Sequence, residues 1–251
     1  MPETFFVLLA GGVMLAAWVP RPTDVTLLWL RLAGIIALVM AGLSFFFWTR
    51  REGISTHSQS ILYATVALLI LLQLAATQLS HRHLQRWAAL AAFLAAIILG
   101  SSLTRPSTEQ RSRAIIISCI GISAMLGLSL MDMLLGHAYL TASKMTLRPF
   151  KRLNNTLGFV ILLRTAIAVP GVLWLNSRSP IYLFWAVFGL FTMTRWLVGL
   201  AVPGIFIYMA KDCIARRATQ SATGILYVAG VLIFVGELLA LYLLRETGLP
   251  F

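Results

Sequence analysis

The stretch from Met131 to Arg152, MDMLLGHAYLTASKMTLRPFKR, decides the fold. It begins inside an apolar run and ends among the cations Lys144, Arg148, Lys151 and Arg152. That many cations do not sit in hydrocarbon, so the segment marks where a helix leaves a bilayer and follows its surface. Asp132, still within the apolar part, is costly in lipid and is expected to face protein or water with a partner. The basic run, interleaved with Met145, Leu147, Phe150 and Leu153, suits lipid headgroups or an acidic subunit on the cytoplasmic side.

The rest of the chain agrees with a membrane setting. Hydrophobic residues make up 59% of it and charged ones 11%, with a mean hydropathy of +0.88. These values describe an integral membrane protein rather than a soluble domain. Apolar runs long enough to cross about 30 Å of hydrocarbon fall near 4–19, 26–48, 59–79, 86–103, 113–138, 156–176, 181–209 and 221–244. The expected fold is an all-α polytopic bundle of about eight transmembrane spans, forming a single integral membrane domain over residues 1–251. The first run lacks the basic flank of a cleaved signal and reads as a retained span, short enough to be tilted or partly interfacial.

A net charge of +12 would suggest nucleic acid for a soluble protein. Here the cations flank spans and meet membrane lipids, so no nucleic-acid partner is expected. About ten Lys and Arg residues fall on one side of the eight runs and about seven on the side of the termini. The positive-inside rule then places both termini outside, in what reads as a bacterial inner membrane. Cys119 lies in a span and Cys213 near a helix end, so neither supports a disulfide framework.

Five ionisable residues lie within the spans: Arg31, Asp132, Arg164, Arg195 and Glu237. A rise of 1.5 Å per residue sorts them into two layers. Arg31, Asp132 and Arg164 come out roughly 7–12 Å from the cytoplasmic face, and Arg195 and Glu237 roughly 20–24 Å. Glu237 is expected to pair with Arg195, and Asp132 with Arg164 or Arg31. Such pairs serve helix packing, or they mark a proton or quinol site. In the second reading Glu237 accepts a quinol proton while Arg195 holds a carbonyl oxygen electrostatically, with Asp132 as the inner-layer counterpart.

His137 sits at the cytoplasmic end of its span, where it bonds locally or contacts a cofactor. No second histidine stands at matching depth, so no integral haem or metal is expected. Arg216 and Arg217 precede Thr219, Ser221 and Thr223 at the start of the last span, a helix N-terminus suited to a lipid or quinone headgroup. Pro170 and Pro203 are expected to kink their helices and open polar pockets near Arg164 and Arg195. Gly121-Ile122-Ser123-Ala124 lacks the last glycine of an intramembrane serine protease motif, and Ser123 lies about 21 Å along the helix from His137.

Val235-Gly236-Glu237-Leu238-Leu239-Ala240-Leu241-Tyr242-Leu243 resembles the closing GEL motif of dimethyl-sulfoxide-reductase and polysulfide-reductase-type membrane anchors. Leu241 to Leu243 stand where that family often carries an Arg and an aromatic pair. The resemblance implies a haem-free, quinone-handling anchor of a larger electron-transfer complex, with Glu237 near the quinol site and redox cofactors in hetero-oligomeric membrane or peripheral subunits. Two other readings use the same charges: a transporter or lipid-handling permease, and a structural subunit of a respiratory or photosynthetic assembly.

Overall fold

The computed structural model describes the backbone of residues 1–21, 23–52, 57–104, 109–141, 146–178 and 181–248, and the side chains among these except 52, 109–112, 141, 170–178 and 181–187. Lys144, Met145, Arg105 and the side chain of Pro170 thus lie outside the described residues. The helices are α1 (Pro2–Trp18), α2 (Leu27–Glu52), α3 (His57–Gln78), α4 (Arg82–Leu103), α5 (Glu109–Thr141) and α6 (Arg148–Arg178). Then come α7 (Ile181–Trp196), a π-helical turn (Leu197–Ala201), α8 (Val202–Ala215) and α9 (Thr219–Thr247). All regular structure in the described residues is helical, as a bilayer demands of a chain that closes no barrel.

Six helical runs among the described residues are long and apolar enough to cross a membrane: Leu27–Arg51, His57–Gln78, Arg82–Leu103, Arg113–Leu140, Phe188–Ala215 and Thr219–Thr247. Their outward faces carry large apolar side chains, such as Leu28, Ile35 and Val39 on α2 and Val228, Val231 and Val235 on α9. Water would oppose such a surface; lipid accepts it. α6 is long, at 31 residues, but carries Arg148, Lys151, Arg152, Arg164 and Arg178.

α1 departs most from expectation. Its 17 residues reach only about 25 Å, and the bundle encloses it. Val7, Leu8, Ala10, Val13, Met14 and Ala16 are completely buried, and α2, α4 and α5 pack around it. A helix apolar on all sides belongs in such an interior position. Gly12 meets Gly127 of α5 backbone to backbone, leaving no room for a Cβ on either. Ser123 donates to the Leu8 carbonyl at 2.7 Å, which gives that hydroxyl a packing role.

α5 is the second hub, packed against α1, α6 and α9. α6 begins at Arg148, well before the expected start of its span near residue 156. Pro149 suits a first helical turn, and Phe150, Leu153, Leu157 and Ile161 form a buried stripe at spacings of three and four. Phe150 stacks on Tyr139 at 5.2 Å between ring centroids, and the Tyr139 hydroxyl donates to the Thr146 carbonyl. Phe150 and Leu153 therefore face the protein core, not headgroups; the cations Lys151 and Arg152 take the other face.

Candidate functional site

The charged centre of the bundle is built from α6, α7 and α9. Arg195 Nη2 lies 2.7 Å from Glu237 Oε1, the pair expected from helix depth. Arg164 Nη2 reaches the other oxygen, Oε2, at 3.4 Å. Glu237 and Arg195 are fully buried, and Arg164 is 2% exposed. One carboxylate thus faces two guanidiniums, leaving one formal positive charge in excess in a low-dielectric interior.

The π turn explains why Arg195 settles here. Pro203 has no N–H, so the Gly199 carbonyl four residues earlier loses its usual helical donor. The helix widens over Leu197–Ala201, and Arg195 Nη1 donates to the freed Gly199 oxygen at 3.3 Å. Single π turns of this kind often accompany functional sites. Gly199 also admits α9: a Cβ added to it would fall 2.7 Å from Gly236 Cα. On the α5 side, a Cβ on Gly121 would come within 2.8 Å of Arg164 Cδ, so that glycine makes the room Arg164 occupies. A kink at Pro203 opening a polar pocket near Arg195 was expected; the structure has a π turn there, ending ahead of Pro203.

Arg164 was expected in the inner layer, as a partner for Asp132. It joins Glu237 instead. The reason is the early start of α6: sixteen residues from Arg148 put Arg164 about 24 Å along its helix, level with Arg195 and Glu237.

Asp132 stands apart. It is fully buried, and both carboxyl oxygens lack a hydrogen-bond partner among the described residues. Gly121 meets Arg164 and Gly136 meets Phe150, so α5 and α6 run antiparallel in a register that sets Asp132 level with Leu153 and Asn154. Asp132 shares a face with Gly121 but lies about 16 Å along the axis, beyond the reach of Arg164. No ion pair joins Arg31 to it among the described residues, and Arg31 is only half-buried. The expected pairing of Asp132 with Arg164 or Arg31 is therefore absent from the described residues; Arg164 is used on Glu237 instead.

The remaining candidates do not join the triad. His137 is exposed, five residues on from Asp132 and so on a different face of α5. Arg216 and Arg217 are exposed at the turn before α9, with Arg216 Nε 2.9 Å from Asp212 Oδ2. Twenty residues, about 30 Å, separate Arg217 from Glu237. These cations and the triad form separate places in the molecule.

One buried charge was not anticipated. Glu3, in the first turn of α1, is 3% exposed and accepts from the Arg51 guanidinium of α2. The Ser44 hydroxyl donates to the Glu3 carbonyl at 2.6 Å. Its sequence signal is an acid in the first turn of a helix, where it also complements the helix dipole. The pocket beside it, about 300 Å³, is lined by Arg51, Thr104, Leu241 and Arg245 among others, and Leu241 is one helical turn from Glu237.

No family model matches the chain, and neither curated proteins nor solved structures yield a match. Function has to be read from the site itself.

Proposed function

We propose that this chain is a haem-free, quinone-interacting membrane subunit of a larger electron-transfer complex, crossing a bacterial inner membrane about eight times. The two spans beyond the six apolar ones are the buried α1 and the cation-bearing α6. The GEL resemblance at Gly236 to Leu238 points the same way. The observation that carries the reading is the set of donors left over in the triad. Arg164 Nε and Nη1 and Arg195 Nε are buried and have no acceptor among the described residues. An apolar ligand bearing carbonyl oxygens, such as a quinone, would satisfy those donors, and the excess positive charge favours any negative charge developing on it. Arg164 and Arg195 orient that oxygen, while Glu237 holds both guanidiniums in place and is the candidate proton acceptor.

The test is quinone retention. Tagged protein is extracted from its native membrane in mild detergent, and quinone is measured per chain after solvent extraction. Wild type should retain quinone above the level of bulk lipid carry-over. Arg164→Met leaves the Arg195–Glu237 pair neutral and should assemble normally with at least tenfold less quinone. Quinone at the carry-over level in wild type, or equal quinone in the variant, overturns the proposal.

A proton-coupled transporter is the second reading, and Asp132 is the observation that favours it. An enclosed carboxyl with no counter-ion among the described residues is the kind of group that carries a proton in such proteins. Uptake by the reconstituted chain alone, abolished in Asp132→Asn, would select it over the first.

A further inference from the structure

A second site lies at the other end of the bundle, between α6 and α8. A pocket of about 150 Å³ is lined by Lys151, Asn154, Asn155, Lys211, Ile214 and Ala215. Its volume equals that of roughly five water molecules, enough for a phosphoester headgroup. Lys151 and Lys211, both exposed, bring two positive charges to the mouth, and no carboxylate lines it among the described residues. Asn154 is 1% exposed. Its Nδ2 donates to the Ile207 carbonyl at 3.2 Å, which settles the orientation of the amide. Its Oδ1 is then a buried acceptor with no donor among the described residues.

These features ask for a ligand with two kinds of group: an anion for the lysines and a hydrogen-bond donor for Asn154. An ammonium donor would be repelled by Lys151 and Lys211, which leaves a hydroxyl. The surface below the pocket is apolar. On α6, Phe159 and Leu162 lie four and seven residues beyond Asn155, on its face of the helix, and are 64% and 71% exposed. On α8, Tyr208 lies three residues before Lys211 and is 73% exposed. Acyl chains can follow this strip into the bilayer while the headgroup stays among the polar residues.

We propose that the α6–α8 pocket binds an anionic phospholipid with a hydroxyl-bearing headgroup, its phosphate on Lys151 and Lys211 and a headgroup hydroxyl donating to Asn154 Oδ1. This site is independent of the triad and of the quinone reading.

Native mass spectrometry of the full chain in detergent tests it, with phosphatidylglycerol, phosphatidic acid and phosphatidylethanolamine titrated separately. Phosphatidylglycerol should be retained five- to tenfold more tightly than either of the others. Lys151→Gln/Lys211→Gln alters only exposed side chains and should lower phosphatidylglycerol retention at least fivefold. Arg50→Gln/Arg245→Gln, at the opposite end of the bundle, should keep it. Unchanged retention in the lysine double variant overturns the site. Equal retention of phosphatidic acid overturns the hydroxyl assignment. Displacement of the lipid by soluble glycerol phosphate at equal concentration overturns the lipid as the source of the headgroup.

Discussion

Gly199 and Gly236 touch through their backbones, with a Cβ on Gly199 placed only 2.7 Å from Gly236 Cα. The contact draws α9 against the π turn and brings Glu237, the next residue, to Arg195. Gly199→Ala should therefore force the helices apart and weaken the triad together with the packing. Overpacking of a tight site typically costs about 1–3 kcal/mol. Thermal unfolding in detergent should show a clear fall for Gly199→Ala and little change for Gly42→Ala, because nothing approaches Gly42 within 4 Å. Equal stability of the two variants would contradict the packing described.

Glu237→Gln removes the only carboxylate found beside Arg164 and Arg195 among the described residues, leaving two buried cations face to face. Breaking a buried ion pair this way costs roughly 3–5 kcal/mol. The variant should assemble poorly, whereas Glu237→Gln combined with Arg164→Gln and Arg195→Gln should recover much of the loss. Yield and thermal stability in detergent measure both. If Glu237→Gln alone assembles normally and turns over quinol at the wild-type rate, Glu237 is neither the anchor of the triad nor its proton acceptor.

Asp132→Asn should behave in the opposite way. The carboxyl has no hydrogen-bond partner among the described residues, so its loss leaves no known cation stranded. Unfolding at neutral pH should occur at or above the wild-type temperature. A fall as large as that of Glu237→Gln would mean that Asp132 has a charged partner after all.

Pro203→Ala restores an N–H four residues beyond the Gly199 carbonyl. That donor competes with Arg195 for the carbonyl and favours closing the π turn. Closing it rotates α8 against α6, where Gly158 approaches Ile207. A disulfide between Gly158→Cys and Ile207→Cys, with Cys119 and Cys213 replaced by Ser, should form readily with Pro203 present. Its yield should drop in Pro203→Ala; an unchanged yield would show that the turn does not depend on the proline.

Thr146 is exposed just ahead of α6, on the side that the distribution of Lys and Arg assigns to the cytoplasm. A cysteine at this position should react with a membrane-impermeant maleimide only after the membrane is opened. Labelling of intact cells would reverse the orientation.

The membrane class was legible from composition and the lengths of apolar runs, because a bilayer selects for both directly. The Arg195–Glu237 pair was legible for a similar reason: both residues lie at comparable counted distances from polar helix ends. Arg164 was misplaced because the cations of Lys151 and Arg152 masked the stripe Phe150, Leu153, Leu157 and Ile161. Starting α6 eight residues late shifts Arg164 by about 12 Å, enough to move it between layers. The role of Gly199 depends on two partners distant in sequence, Pro203 through the backbone and Gly236 through contact. Local pattern reveals the first of these, and only the packed bundle reveals the second.

The position of α1 bears on how the protein is made. α1 leaves the ribosome before α4 and α5, two of the helices that later enclose it, and so is made ahead of these neighbours. A surface apolar on every side suits that interval, because lipid can stand in for the missing helices at little cost. Gly12 then waits for Gly127, more than a hundred residues downstream, and the bundle closes around α1 instead of growing outward in chain order.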